Sequence, residues 1–89
     1  MICNNRSNLT DVAHQETMAR LRGRPVENRG IGQHIDNPAI DLCALARAQG
    51  VEATGPVEKF GDLAPALERA LAAAAAGRPH LVDVVVPRA

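Results

Sequence analysis

Aromatic residues and net charge are both scarce in this chain. Its 89 residues contain one Phe and no Trp or Tyr, and ten Lys and Arg offset ten Asp and Glu. Proteins that bind nucleic acids need clustered positive charge for the phosphates, and single-strand binders also need rings on which bases stack. The composition therefore argues against a nucleic-acid partner.

Long apolar runs are scarce as well. The longest one ends in the alanine tract at 72–76, whereas a helix that crosses a bilayer needs about 20 apolar residues. The first residues, Met-Ile-Cys-Asn-Asn-Arg, lack the basic and then apolar stretches of a signal peptide. We therefore expect a cytoplasmic protein with no membrane partner.

The chain has only two cysteines, Cys3 and Cys43. Two thiols form no disulfide framework, and their spacing fits no metal site. We expect both to be free, buried thiols, as is usual in a reducing compartment.

Alanine supplies 16 of the 89 residues. Small side chains bury little apolar area each, and a chain of this length buries only about 60–65% of its surface on folding. The sequence therefore predicts a marginal core unless something else covers it.

The hydrophobic pattern predicts the order strand, helix, loop, helix, strand, helix, strand. The last strand is the clearest, because residues 80–86 are almost continuously apolar and β-branched, which is typical of a parallel strand buried on both faces. The predicted fold class is α/β, a partial three-layer parallel sheet with flanking helices, in a single incomplete domain over 1–89. Other predicted bounds are 1–3 for the first strand, 22–36 for the loop, and 51–54 for the second strand, which Gly55 and Pro56 end.

Capping residues place the first two helices. Asn8 or Thr10 can cap the first helix, which ends near residue 21. Asn37 followed by Pro38 predicts the start of the second helix, which continues to residue 49 with Leu45 on its apolar face.

The third helix is predicted from its cap and its apolar spacing. Asp62 can cap it, and Gly77 ends it after the alanine tract. Leu63, Leu67 and Leu71 repeat at every fourth position, so we expect them to form the face that packs on the sheet.

Polar residues follow the first predicted strand at Asn4, Asn5 and Ser7. Ligands of parallel α/β sheets bind outside the carboxyl ends of the strands. Amide and backbone oxygens suit a hard cation such as Mg²⁺, and the N-terminus of the following helix suits an anion. An Asn pair also occurs in ordinary turns, so the residues alone leave both interpretations open.

Several segments together resemble a known family. They are 2–7 (ICNNRS), 35–53 (IDNPAIDLCALARAQGVEA), 62–67 (DLAPAL) and 77–84 (GRPHLVDV). In order and spacing they are similar to the C-terminal part of the cofactor-binding domain of thiamine-diphosphate-dependent enzymes, the group of acetolactate synthase, benzoylformate decarboxylase and pyruvate decarboxylase. In that family a strand ends in Asn-Asn, which closes a motif that opens with Gly-Asp-Gly.

The resemblance implies roles for the residues around the Asn pair. Asn5 would give its side-chain oxygen to Mg²⁺, and Ser7 would give its backbone carbonyl. Asn4 would shape the turn, while Asn8 and Leu9 would lie near the diphosphate and thiazolium of thiamine diphosphate. The implied fold is the C-terminal half of a thiamine-diphosphate-binding fold.

Two charged features each have two interpretations. Asp11 lies where some decarboxylating relatives place a catalytic acid, and it can equally be an ordinary first-turn carboxylate. The basic group Arg20, Arg22, Arg24 and Arg29 is typical of a solvated loop, with a contact to a carboxylate or a diphosphate as the alternative.

The Gly-Asp-Gly half of the motif does not occur in this sequence. Its Asp is a charged Mg²⁺ ligand in the family, and a separate pyrimidine-binding domain supplies the glutamate that activates the cofactor. The resemblance therefore implies a fragment of a 2-keto acid decarboxylase or carboligase that is inactive alone. Its expected partners are a second copy, or a complementing chain that carries the two absent parts.

The alternative is a non-catalytic module with the same half-fold. A small parallel sheet has unpaired edges, and exposed edges invite strand addition. Such a module would oligomerise through those edges and would bind no cofactor.

Overall fold

The structure is a computed structural model that describes residues 1–87, and the chain separates into two units. One comprises Met1–Asn4 with Asp41–Pro87, and the other comprises Asn5–Ile40. The strands are β1 (Ile2–Asn4), β2 (Glu52–Val57) and β3 (His80–Val85). The helices are α1 (Leu9–Leu21), α2 (Leu42–Ala48) and α3 (Leu63–Ala75), with short 3₁₀ turns at Glu27–Gly30 and Phe60–Asp62.

The first unit is a parallel sheet in the order β1-β3-β2. Ile2 pairs with Asp83 on one edge of β3, and Glu52 pairs with His80 on the other. The predicted order of elements and the parallel α/β class are confirmed.

Helices cover both faces of β3. Val82 is 1% exposed and packs with Ala66 of α3. Its neighbour Asp83 is 3% exposed and lies beside Cys43 of α2. Because successive residues of a strand point to opposite faces, α2 and α3 lie on opposite sides of the sheet. This confirms the predicted last strand and the three-layer arrangement.

The core contains small side chains, as the alanine content predicts. Ala66 and Ala73 are the buried residues of α3, at 1% and 2% exposure. Leu63 and Ala70 are partly buried and pack against the core, but Leu71 is 70% exposed, so the predicted leucine face is confirmed at Leu63 and wrong at Leu71. The inward positions 63, 66, 70 and 73 are separated alternately by three and four residues, a spacing that stays on one face of a helix with 3.6 residues per turn. A constant spacing of four residues, as in the three leucines, moves gradually around the helix.

The second helix begins later than predicted. The Asp41 side chain caps it by accepting a hydrogen bond from Ala44 N at 2.9 Å. Asn37 and Pro38 lie instead in a turn that an antiparallel bridge between Asp36 and Ala39 closes. Asn-Pro is typical of turns as well as of helix starts, and Asp41 provides the stronger cap.

Two further details of the helical layer differ from expectation. Leu45 is 54% exposed, although it was expected on the apolar face, whereas Ala46 of that face and Cys43 beside it are buried. Cys43 is the free, buried thiol that was predicted, but Cys3 is exposed, because it lies on the short edge strand β1.

The second strand continues through Gly55 and Pro56 rather than ending before them. Proline is tolerated there because β2 is an edge strand, and the register is irregular between Thr54 and Val57. Gly55 has φ +136°, and a Cβ at this position would lie 2.6 Å from the Asp83 carbonyl oxygen. Glycine is therefore required for β2 to approach β3.

The second unit is a helix followed by a long loop, as predicted. None of the α1 residues is buried, and Leu21 is 75% exposed. The loop after it contains one 3₁₀ turn. Among the described residues, no helix has the length and apolar character needed to cross a bilayer.

Replacing Gly55 by alanine is expected to destabilise the sheet strongly. The new Cβ meets the Asp83 carbonyl, and alanine disfavours this backbone conformation, so the free energy of unfolding should fall by at least about 2 kcal/mol. Gly61→Ala is the matched control, because a Cβ there meets nothing within 4 Å. Urea unfolding followed by circular dichroism measures both variants. Equal stability of the two would contradict the close approach.

Because of the Cys43 thiol, the free energy of unfolding is expected to fall as pH rises in the alkaline range. Burial raises its pKa, and the Asp83 carboxylate raises it further. The unfolded chain therefore loses this proton at a lower pH than the folded chain, so the stabilisation is complete below the unfolded pKa and declines as pH rises towards the folded value. Between about pH 7 and pH 10, the wild type should lose more stability than Cys43→Ala, whereas Cys3→Ala should behave as the wild type. Parallel losses in all three proteins would rule out this linkage.

Candidate functional site

The chain turns sharply directly after β1. The Ser7 N–H donates to Asn5 Oδ1 at 3.1 Å, so the Asn side chain closes the turn as a backbone carbonyl would. Between them, Arg6 has a left-handed φ of +54°. A short amide side chain after a strand is thus the local reason that the chain reverses here.

The loop at 33–35 holds this turn in place. Asn8 N–H donates to the Gln33 carbonyl at 2.7 Å, and Ile35 N–H donates to the Arg6 carbonyl at 2.7 Å. These bonds flank an antiparallel bridge between Ser7 and His34. Neither of them uses the Ser7 carbonyl, which stays available for another partner.

Helix α1 begins immediately after the turn. Asn8 occupies the N-cap position, as predicted, but its side chain makes no capping hydrogen bond. Its carbonyl accepts from Asp11 N and Val12 N, both at 3.1 Å. The Asn8 side chain leaves the N–H groups of the first turn uncapped, so this end of α1 can receive an anion.

A cavity of about 350 Å³ lies between the turn and the helix start. This volume is at the lower end of the roughly 300–1,000 Å³ that small-molecule sites occupy. The cavity is lined by Asn5, Ser7, Asn8, Leu9, Thr10 and Asp11.

Five of the six residues predicted for the site line this cavity. Asn4 does not: it is the last residue of β1, and its carbonyl accepts from Val86 N–H at 2.9 Å. Thr10 lines the cavity although it was considered only as a helix cap. Its place in the first turn of α1 is the signal that could have identified it.

The oxygen atoms of the cavity suit a hard cation. Asn5 Oδ1 has a second lone pair besides the one that Ser7 N–H uses. Ser7 Oγ is buried and has no hydrogen-bond partner among the described residues. Over residues 1–87, no cluster of three or more His, Cys, Asp or Glu could hold a metal ion. The amide and hydroxyl oxygens at Asn5 and Ser7 are of the type that hard cations accept.

Comparison with known proteins gives one match. The model of the family described as "Thiamine pyrophosphate enzyme, C-terminal TPP binding domain" matches residues 1–84. No curated protein and no solved structure matches the chain significantly.

Replacing Asn5 by alanine should open the turn. The variant loses the bond to Ser7 N–H, which is worth about 1 kcal/mol, so the Ser7 amide should exchange its hydrogen about fivefold faster. Asn8→Ala is the control, because the Asn8 side chain makes no capping hydrogen bond. Amide exchange by NMR measures both. If both variants exchange like the wild type, Asn5 does not hold the turn.

Proposed function

Because the chain belongs to the thiamine pyrophosphate enzyme family as a C-terminal TPP-binding domain, we propose that residues 5–11 bind the Mg²⁺–diphosphate end of thiamine diphosphate. The observation that carries this proposal is the single cavity that combines Asn5, Ser7 and the uncapped start of α1. In the proposed site Asn5 and Ser7 share one task, and the start of α1 has another.

Asn5 and Ser7 would bind the cation. Asn5 Oδ1 is already oriented by the Ser7 N–H, so little side-chain freedom is lost on binding. The Ser7 carbonyl is unused by the bridge to His34. Both ligands are neutral, and Mg²⁺ sites normally include one or two carboxylates together with phosphate oxygens.

The start of α1 would bind the diphosphate. Its first-turn N–H groups have no side-chain cap, and the helix dipole favours negative charge at this end. Asn8 and Leu9 border the same cavity and would contact the cofactor. Bound thiamine diphosphate would supply carbanion stabilisation for the decarboxylation or carboligation of a 2-keto acid.

Asp11 is proposed as a proton-transfer group for that reaction. It is exposed, belongs to the first turn of α1 and lines the cavity. A carboxylate next to a diphosphate is repelled by it, so a cation between them or a proton on Asp11 would be needed for both to be close.

The 89 residues supply one part of such a site. They contain no Gly-Asp-Gly, so the acidic Mg²⁺ ligand has to come from a complementing segment or chain. The same partner would carry the pyrimidine-binding domain. We therefore propose a part of an acetolactate synthase-like 2-keto acid decarboxylase or carboligase that does not turn over substrate by itself.

A non-catalytic module is the second candidate. Within residues 1–87, β1 and β2 each pair with β3 alone, so the described sheet has two edges that can add strands from another chain. This candidate differs from the first in one respect: it predicts that residues 5–11 do not respond to thiamine diphosphate.

Titration of the ¹⁵N-labelled chain with thiamine diphosphate and Mg²⁺ separates the candidates. We expect saturable NMR shifts confined to the amides of residues 5–11, with an affinity weaker than micromolar because the acidic ligand is absent. Asn5→Ala should lose these shifts, and thiamine without its diphosphate should not produce them.

Two other results of this titration would contradict parts of the proposal. Unchanged amides at 5–11 would contradict the cofactor site and favour the interaction module. Micromolar binding by the chain alone would contradict the need for a complementing part.

A further inference from the structure

A second cavity of the helix–loop unit has a strongly basic lining. It has a volume of about 190 Å³ and lies where α1 ends and the following loop begins. Its polar lining consists of Gln15, Arg22, Arg24, Asn28 and Arg29, and three apolar residues form the rest. It shares no residue with the cavity at 5–11.

The positive charge of this chain is concentrated around that cavity. Overall the chain is neutral, but residues 15–29 contain four arginines and two glutamates. Among residues 1–87, no carboxylate side chain lines the cavity. A local excess of positive charge without an acidic neighbour in the lining raises the concentration of anions there.

One of the two glutamates is already paired. Glu16 forms two ion pairs. The distance is 2.7 Å from its Oε1 to a guanidinium nitrogen of Arg20, and 3.5 Å from its Oε2 to Nε of Arg29. The hydrogen bond from Arg20 lowers the Glu16 pKa, and Arg29 lowers it further. Glu16 thus compensates Arg20 and part of Arg29. Among the described residues, Arg22 and Arg24 make no ion pair.

The backbone around these arginines is held by hydrogen bonds. Arg22 N–H donates to Met18 O at 3.1 Å, and Arg24 N–H donates to Ala19 O at 2.8 Å. Gly23, between them, has the left-handed φ of +64° that this chain reversal needs. The Arg29 guanidinium donates to the Val26 carbonyl at 3.1 Å. The backbone that carries Arg22 and Arg24 and the side chain of Arg29 are therefore held by hydrogen bonds, so less backbone entropy is lost on binding.

We propose that this cavity binds a phosphate group. Guanidinium groups donate in pairs to phosphate oxygens, and the amides of Gln15 and Asn28 can donate as well. The volume is below that of typical small-molecule sites, so it accommodates free phosphate or the phosphate of a small ester rather than a whole nucleotide. The site is separate from the proposed cofactor site and does not depend on it.

The test is a phosphate titration of the ¹⁵N-labelled chain at low ionic strength. Arm one uses inorganic phosphate, and arm two uses glycerol phosphate as a small ester. We expect saturable NMR shifts at residues 15–29 in at least one arm. Preference for one arm identifies the source of the phosphate group.

Variants establish that the response comes from this cavity. Arg22→Gln with Arg24→Gln should weaken phosphate binding at least tenfold. Lys59→Gln with Arg69→Gln removes the same charge from exposed positions of the sheet unit and should leave the affinity unchanged. Far-ultraviolet circular dichroism and the dispersion of the NMR spectrum verify that each variant is folded.

Three results would overturn the proposal. The first is an absence of saturation in both phosphate arms. The second is an equal loss of affinity in the two double variants, which would mean that only net charge matters. The third is retention of binding in the Arg22 and Arg24 double variant.

Discussion

The stability of the sheet depends on its central strand β3, which is covered on both faces and hydrogen-bonded along both edges. The strands β1 and β2 take up its backbone hydrogen bonds, and α2 and α3 cover its faces. A chain this short can do so only with small contact residues, which let backbones approach closely. Ala66 serves this purpose on α3 and Gly55 on β2. Phe60, the largest apolar residue of the chain, stays outside this core and is 92% exposed.

Close approach has a cost in the layer between α2 and the sheet. Asp83 is buried with one carboxylate oxygen that has no hydrogen-bond partner among the described residues. A buried polar atom without a partner is unfavourable, and the same carboxylate disfavours the thiolate of Cys43. The core is thus marginal in two ways, through its small apolar area and through an imperfectly compensated polar group.

Local sequence signals predicted the elements better than their faces. The β-branched run at 80–86 identified β3 because few other environments accept such a stretch, and the Asn pair located the turn after β1. The prediction for the face of α3 was wrong at Leu71, because alanine carries little hydrophobic signal and the buried Ala66 and Ala73 did not stand out against that leucine. The buried position of Asp83 could not be predicted, since a lone carboxylate in a strand gives no indication of which helix will cover it.

The two cavities illustrate that zero net charge does not exclude the binding of a small anion. Zero net charge argues against long-range attraction of a polyanion, but binding of a small anion depends on the groups within a few ångströms of it. The cavity at 5–11 would meet a diphosphate with helix N–H groups and neutral oxygens, which require a cation to complete the charge balance. The cavity at 15–29 offers guanidinium groups, and Glu16 in the same segment is already paired with Arg20. In the proposed sites, an anion at the first would therefore depend on a metal ion and a complementing carboxylate, whereas an anion at the second would be neutralised by arginines of this chain.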